Sequence, residues 1–103
     1  MKLPEKQIQH IDRPELSETF VDSLGLVTFD GTTTRLELCV TRLDAIKPPD
    51  PPTAKKYPVC RLVITPECTV DLYNQLNNIM SILQKAGLVT RQEGKPPEVI
   101  QRH

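Results

Sequence analysis

Tryptophan is absent from this chain of 103 residues, and phenylalanine and tyrosine number two each. Recognition of single-stranded nucleic acid by stacking needs aromatic pairs on one face, and so few aromatics do not supply them. Charge of one sign is also lacking, since thirteen Lys and Arg balance thirteen Asp and Glu. Nothing draws the chain as a whole to DNA, RNA or an anionic membrane. Nucleic acid is therefore not an expected partner. No apolar run approaches the ~18 residues of a membrane span. The opening MKLPEKQIQHIDRPE has no hydrophobic centre, which argues against a secretory signal.

The parts for metal and nucleophile chemistry are also short. Two histidines, His10 and His103, lie near opposite ends of the chain. The cysteines, Cys39, Cys60 and Cys68, form no CxxC, whereas a zinc site wants four N or S ligands. No metal, cofactor or Cys–His dyad is expected. An odd number of cysteines fits free thiols in a reducing cytoplasm, each behaving as a small hydrophobe. Cys60 and Cys68 would approach one another if a strand runs into a helix between them. P-loop, GxGxxG, GxSxG and HExxH motifs are missing. Among the acids, Asp30 belongs to a turn and Glu67 to a helix start, so no catalytic set is expected.

What is present is a patterned centre between plainer ends. Hydrophobic residues make up 38% of the chain and prolines number ten. Residues 1–18 read as an N-terminal arm with sparse apolar residues, interrupted by Pro4 and Pro14. Residues 88–103, with Pro96-Pro97, read as a tail with the composition of disorder. Residues 19–87 carry the domain.

Its clearest local signal is Phe29-Asp30-Gly31-Thr32, an Asp-Gly hairpin between β-forming runs. A two-residue turn pairs Phe29 with Thr32 and Val27 with Thr34; a four-residue turn leaves the same faces, and a three-residue bulged turn would invert one strand. Alternation then puts Val21, Val27, Phe29, Leu36, Leu38 and Val40 on one face. Phe20, Leu24 and Leu26 fall on the other, beside Arg35, Glu37 and Cys39. Residues 45–58, with Pro48, Pro49, Pro51 and Pro52, predict an extended polyproline-like loop. A third strand spans 59–64, with Cys60, Leu62 and Ile64 on the core face and Val59, Arg61 and Val63 on the mixed one. There Arg61 can approach Glu37.

Thr65-Pro66-Glu67 has the chemistry of a helix start: an N-cap, a preorganised first residue and an acid at the N-terminal dipole. Leu72, Leu76, Ile79 and Leu83 recur at steps of four, three and four, one face of a helix that Gly87 closes. The expected fold is α+β: a three-stranded antiparallel meander followed by one long helix packed on one sheet face, β-β-β-α.

A core this small, with no tryptophan, disulfide or metal, is marginal. Apolar residues left on the face away from the helix mark a contact surface. The candidate interface is Phe20, Leu24, Leu26, Val59 and Val63. Asp22, Arg35, Glu37 and Arg61 form a candidate polar cluster on the same mixed face, most simply a set of surface ion pairs. The expected partner is a second copy, as a homodimer or small homo-oligomer, with another protein as a further possibility.

Two blocks resemble a family of small uncharacterised bacterial proteins, a domain of unknown function. One is Phe20-Val21-Asp22-Ser23 with the hairpin to Leu36-Glu37-Leu38. The other is the strand-to-helix junction Arg61-Leu62-Val63-Ile64-Thr65-Pro66-Glu67. The resemblance implies the fold and a bacterial cytoplasmic setting, and carries no catalytic residue. The expected function is a non-enzymatic, homo-oligomeric protein-interaction module. The alternatives are a chaperone-like binder of extended clients, by analogy with export chaperones of meander-plus-helix subunits, or a weak nucleic-acid binder.

Overall fold

The computed structural model describes residues 3–101. Met1 and Lys2 of the predicted arm, and Arg102 and His103 of the predicted tail, lie outside them. The order is a single 3-10 turn (Glu5–Gln7) in the exposed arm, β1 (Ser23–Phe29), β2 (Thr34–Leu43), β3 (Ala54–Ile64), α1 (Pro66–Lys85), then two short strands, β4 (Val89–Thr90) and β5 (Glu98–Val99). The first three strands form an antiparallel sheet in the order β1-β2-β3. The predicted α+β meander and helix are both present.

The Asp-Gly hairpin forms with a four-residue connection, Asp30 to Thr33, so that Phe29 faces Thr34 and Val27 faces Leu36. Gly31 supplies the turn's positive φ, +103°. The Asp30 carboxylate does the rest: its Oδ1 accepts the Thr32 and Thr33 N–H groups at 2.9 and 2.8 Å, and its Oδ2 accepts the Thr33 hydroxyl at 2.7 Å. Three donors of the loop are thus held without a two-residue turn, which would need positive φ at both positions.

Two register shifts re-sort the faces. In β1 the pairing slips between Leu24, opposite Leu38, and Val27, opposite Leu36. The extra residue of this bulge moves Leu24 onto the apolar face with Val27 and Leu36. In β3 the slip falls between Cys60 and Pro58, leaving Val59 at the irregularity and Tyr57 opposite Val40. The third strand is longer than predicted, beginning at Ala54, so the proline loop shrinks to residues 44–53. Pro58 is tolerated because β3 is an edge strand and the residue sits at a bulge, where a missing N–H costs little. Asp44 closes the loop: its N–H donates to Thr53 O at 3.0 Å, and its carboxylate accepts from Thr53 Oγ1 and Lys55 Nζ.

The helix starts as the sequence predicts. Thr65 is extended (φ −73°, ψ 164°) and its Oγ1 accepts the Cys68 N–H at 3.1 Å. Thr65→Ala is expected to cost about 1 kcal/mol, read as a lower urea midpoint at unchanged slope. At the far end Gly87 N and Leu88 N return to the Gln84 and Leu83 carbonyls at 3.1 and 2.9 Å, with Gly87 at φ +76°. This is the Schellman stop. It turns residues 88–101 back as a β4-β5 hairpin, with buried Val89 opposite Val99, in place of the loose tail that composition suggests.

The helix does not lie on the sheet. It leaves from the sheet's end, where Thr69 Oγ1 meets Thr34 Oγ1 at 2.9 Å. Beyond that turn Leu76 is 52% exposed, and across the apolar sheet face Val27 is 50% and Phe29 64% exposed. The molecule is elongated, 61 Å in its longest dimension, and the helix stands clear of the sheet face. The link explains why: a single residue, Thr65, separates β3 from α1, where strand-to-helix connections usually take 2–6.

Candidate functional site

The features that could serve a function are the two faces of the sheet. On the apolar face the ladder aligns Leu24 with Leu38 and Cys60, Val27 with Leu36 and Leu62, and Phe29 with Thr34 and Ile64. Val40 and Tyr57 extend it. None of these side chains is buried, although Leu36, Leu38, Val40, Cys60 and Ile64 are partly shielded by one another. A contiguous apolar surface of this extent is rare on a monomer and marks a contact site.

The mixed face is built differently. Glu37 and Arg61 stand opposite one another in the ladder, and Arg61 Nε donates to Glu37 Oε2 at 3.0 Å. Gly25 lies over this pair: a Cβ there would run into Glu37 Oε1 and stand 3.1 Å from Cys39 Sγ. Cys39, at 1% exposure, is the most buried side chain among the described residues. Leu26 and Val63 flank a shallow depression with Arg35, Glu37 and Arg61.

The sequence-predicted polar cluster is therefore divided. Glu37 and Arg61 pair as expected. Arg35 turns to the hairpin instead, its Nε donating to Asp30 Oδ2 at 3.2 Å. Asp22 fastens the start of β1, its Oδ1 accepting Thr41 N–H and Ser23 Oγ–H, both at 3.0 Å. The candidate interface residues separate as well. Leu26 and Val63 stay on the mixed face, Leu24 moves to the apolar one, Val59 sits at the β3 bulge, and Phe20 precedes β1. The predicted cover by α1 is not made, so both faces stand open: the face assigned to the core is uncovered, and on the mixed face Leu26 and Val63 are exposed as well. A bulge cannot be read from alternation unless a glycine marks it. Gly25 was that signal.

No family model matches this chain, and no curated protein or solved structure does so either. The chemistry is thus read from the residues alone. All three cysteines are free thiols: Cys39 buried, Cys60 half-buried on the apolar face, Cys68 exposed on the helix. Among the described residues no three His, Cys, Asp or Glu side chains gather as a metal site, and no helix is long and apolar enough to cross a membrane.

Three carboxylates have lowered pKa values, each for a structural reason; in the arm, a backbone N–H and then the Arg13 guanidinium hold Glu15 below its ordinary value. Lys55, donating to Asp44, lowers its pKa, and Asp44 in turn raises that of Lys55. The Thr32 and Thr33 N–H groups, with the Thr33 hydroxyl, hold Asp30 far below the usual carboxylate range. Asp30 therefore stays charged in the fold where an unfolded chain would protonate it. Its contribution to stability is whole above the unfolded value, ~4, and is lost as pH falls toward the folded one. Thermal melts at descending pH should show Asp30→Asn less stable than wild type at neutral pH, the two curves converging in acid. Parallel curves would contradict this assignment.

Proposed function

We propose that this protein is a non-enzymatic protein-interaction module that works as a homodimer, in a bacterial cytoplasm as the family resemblance implies. The observation that carries the reading is the surface of the single chain. It exposes 9563 Å², whereas a compact monomer of 11.7 kDa exposes about 5,900 Å². The radius of gyration, 18.2 Å, likewise exceeds the ~13 Å of a compact chain this long. The exposed residues 3–20 supply part of this excess of roughly 3,700 Å², and the open sheet face and helix stripe supply apolar area for a dimer interface. The polar groups give no competing account: Asp22, Asp30, Glu37 and Asp44 each hold a turn, a strand or an ion pair.

Light scattering across a dilution series tests the reading. The expected mass is twice the 11.7 kDa of one chain, falling only at high dilution. A folded monomer at every concentration would overturn it.

A further inference from the structure

The chain carries two large apolar surfaces, and neither meets the other. One is the sheet face around Leu36, Leu38 and Leu62. The second is the helix stripe of Leu72, Leu76, Ile79 and Leu83, with the tail hairpin fixed along its flank by Arg91 Nη2 donating to Asn77 Oδ1 at 2.6 Å. Their apolar lengths agree: the stripe from Leu72 to Leu83 runs ~17 Å, and the face from Thr34 to Val40 runs ~20 Å before Arg42 and Lys55 end it.

Within one chain they cannot be joined. A helix ~10 Å across has to rise off the sheet before lying along it, and the single residue Thr65 gives no length for that. The exit is also fixed on both sides, by the Thr65 cap on Cys68 N and by the Thr69–Thr34 hydrogen bond. A helix held off its own sheet by its link is free to lie on another.

The geometry points to reciprocal cover: in the dimer, the α1 stripe of each copy lies on the open apolar sheet face of its partner. This rests on the homodimer reading above and specifies its interface. A two-fold arrangement makes the exchange twice and closes at two chains, with neither of these two surfaces left to extend it. Both contacts of one copy, face and stripe, draw on the part of the excess surface that lies outside the arm. Charge does not oppose it. The stripe and the face from Thr34 to Val40 hold no ionised side chain; Arg42 and Lys55 lie beyond its end, where Lys55 pairs with Asp44, and Glu37, Arg61, Arg35 and Asp30 pair on the mixed face and at the turn. Reciprocal cover also assigns the cysteines: Cys60 enters the interface from the sheet, while Cys39 stays inside its own chain.

Disulfide trapping in the full chain tests this. Cys68 is replaced by serine, buried Cys39 is retained, and a cysteine is walked through Leu72, Leu76, Ile79 and Leu83 opposite native Cys60. After mild oxidation, at least one position should convert most of the protein into covalent dimer, and peptide mapping should find a bond from Cys60 to the helix. Three results overturn the inference. A Cys60–helix bond in protein of monomer mass means the helix folds onto its own sheet. Helix-to-helix or Cys60-to-Cys60 bonds alone mean the dimer pairs like surfaces. No bond from Cys60 to any of the four positions, in protein that scatters as a dimer, means the two surfaces do not meet. In these last two cases the dimer reading stands and the exchange fails; a monomer by light scattering removes both.

Discussion

Leu36→Asp should abolish the dimer. Leu36 sits on the central strand, between Val27 and Leu62, in the middle of the open apolar face. Removing a buried leucine forfeits roughly 1.5–3 kcal/mol, and placing a carboxylate there adds a desolvation cost. A two-fold interface counts each change twice, so the loss is at least about 4 kcal/mol. At ~1.4 kcal/mol per tenfold, the dissociation constant rises about a thousandfold. Light scattering at a concentration where wild type is dimeric should then give the mass of one chain. Leu26→Asp is the control. Leu26 lies on the mixed face and is 73% exposed, so its substitution should leave the mass unchanged. If Leu26→Asp dissociates the protein and Leu36→Asp does not, the interface is on the other face of the sheet.

Gly25→Val should damage the fold itself. The bulge brings β1 close over Glu37 and Cys39, and a Cβ at 25 meets Glu37 Oε1 and, at 3.1 Å, Cys39 Sγ. The Glu37 carboxylate ends a flexible side chain and can swing away, at the expense of its bond to Arg61. The Cys39 sulfur is buried and has no such freedom. Overpacking of this kind costs about 2 kcal/mol, roughly 10 °C in the melting temperature of a domain this size. Gly25→Ala should cost less, and adding Glu37→Ala should recover part of that loss but not all of it. An unchanged melting temperature for Gly25→Val would mean that β1 does not approach so closely.

These two residues mark where the reading of the sequence succeeds and where it stops. Thr65-Pro66-Glu67 and Gly87 were sufficient to bound the helix, because capping and left-handed stops are chemistry within a few residues. Asp30-Gly31 located the hairpin for the same reason, though the length of its loop followed from how many N–H groups one carboxylate gathers. Opposition of Glu37 and Arg61 followed from alternation along β2 and β3, since no register shift falls between them and the helix. Leu24 did not follow. One extra residue at Gly25 reverses the face of everything before it, and alternation carries no mark of it. Arg35 was equally free to meet Glu37 or Asp30, and the turn decided in favour of Asp30.

The apolar periodicities alone determined that this chain makes a three-stranded meander and an amphipathic helix, and that each has one face to bury. They did not determine where those faces go. Strand and helix each satisfy their backbone hydrogen bonds locally or with a neighbouring strand, so their existence is written in spacing and caps. Burial depends on the direction in which the helix leaves the sheet. That direction was decided by one extended residue, Thr65, and by the Thr69–Thr34 contact beside it. A stripe that matches a sheet in length and character reads in sequence as its cover; the tertiary structure instead holds the two apart and leaves both open.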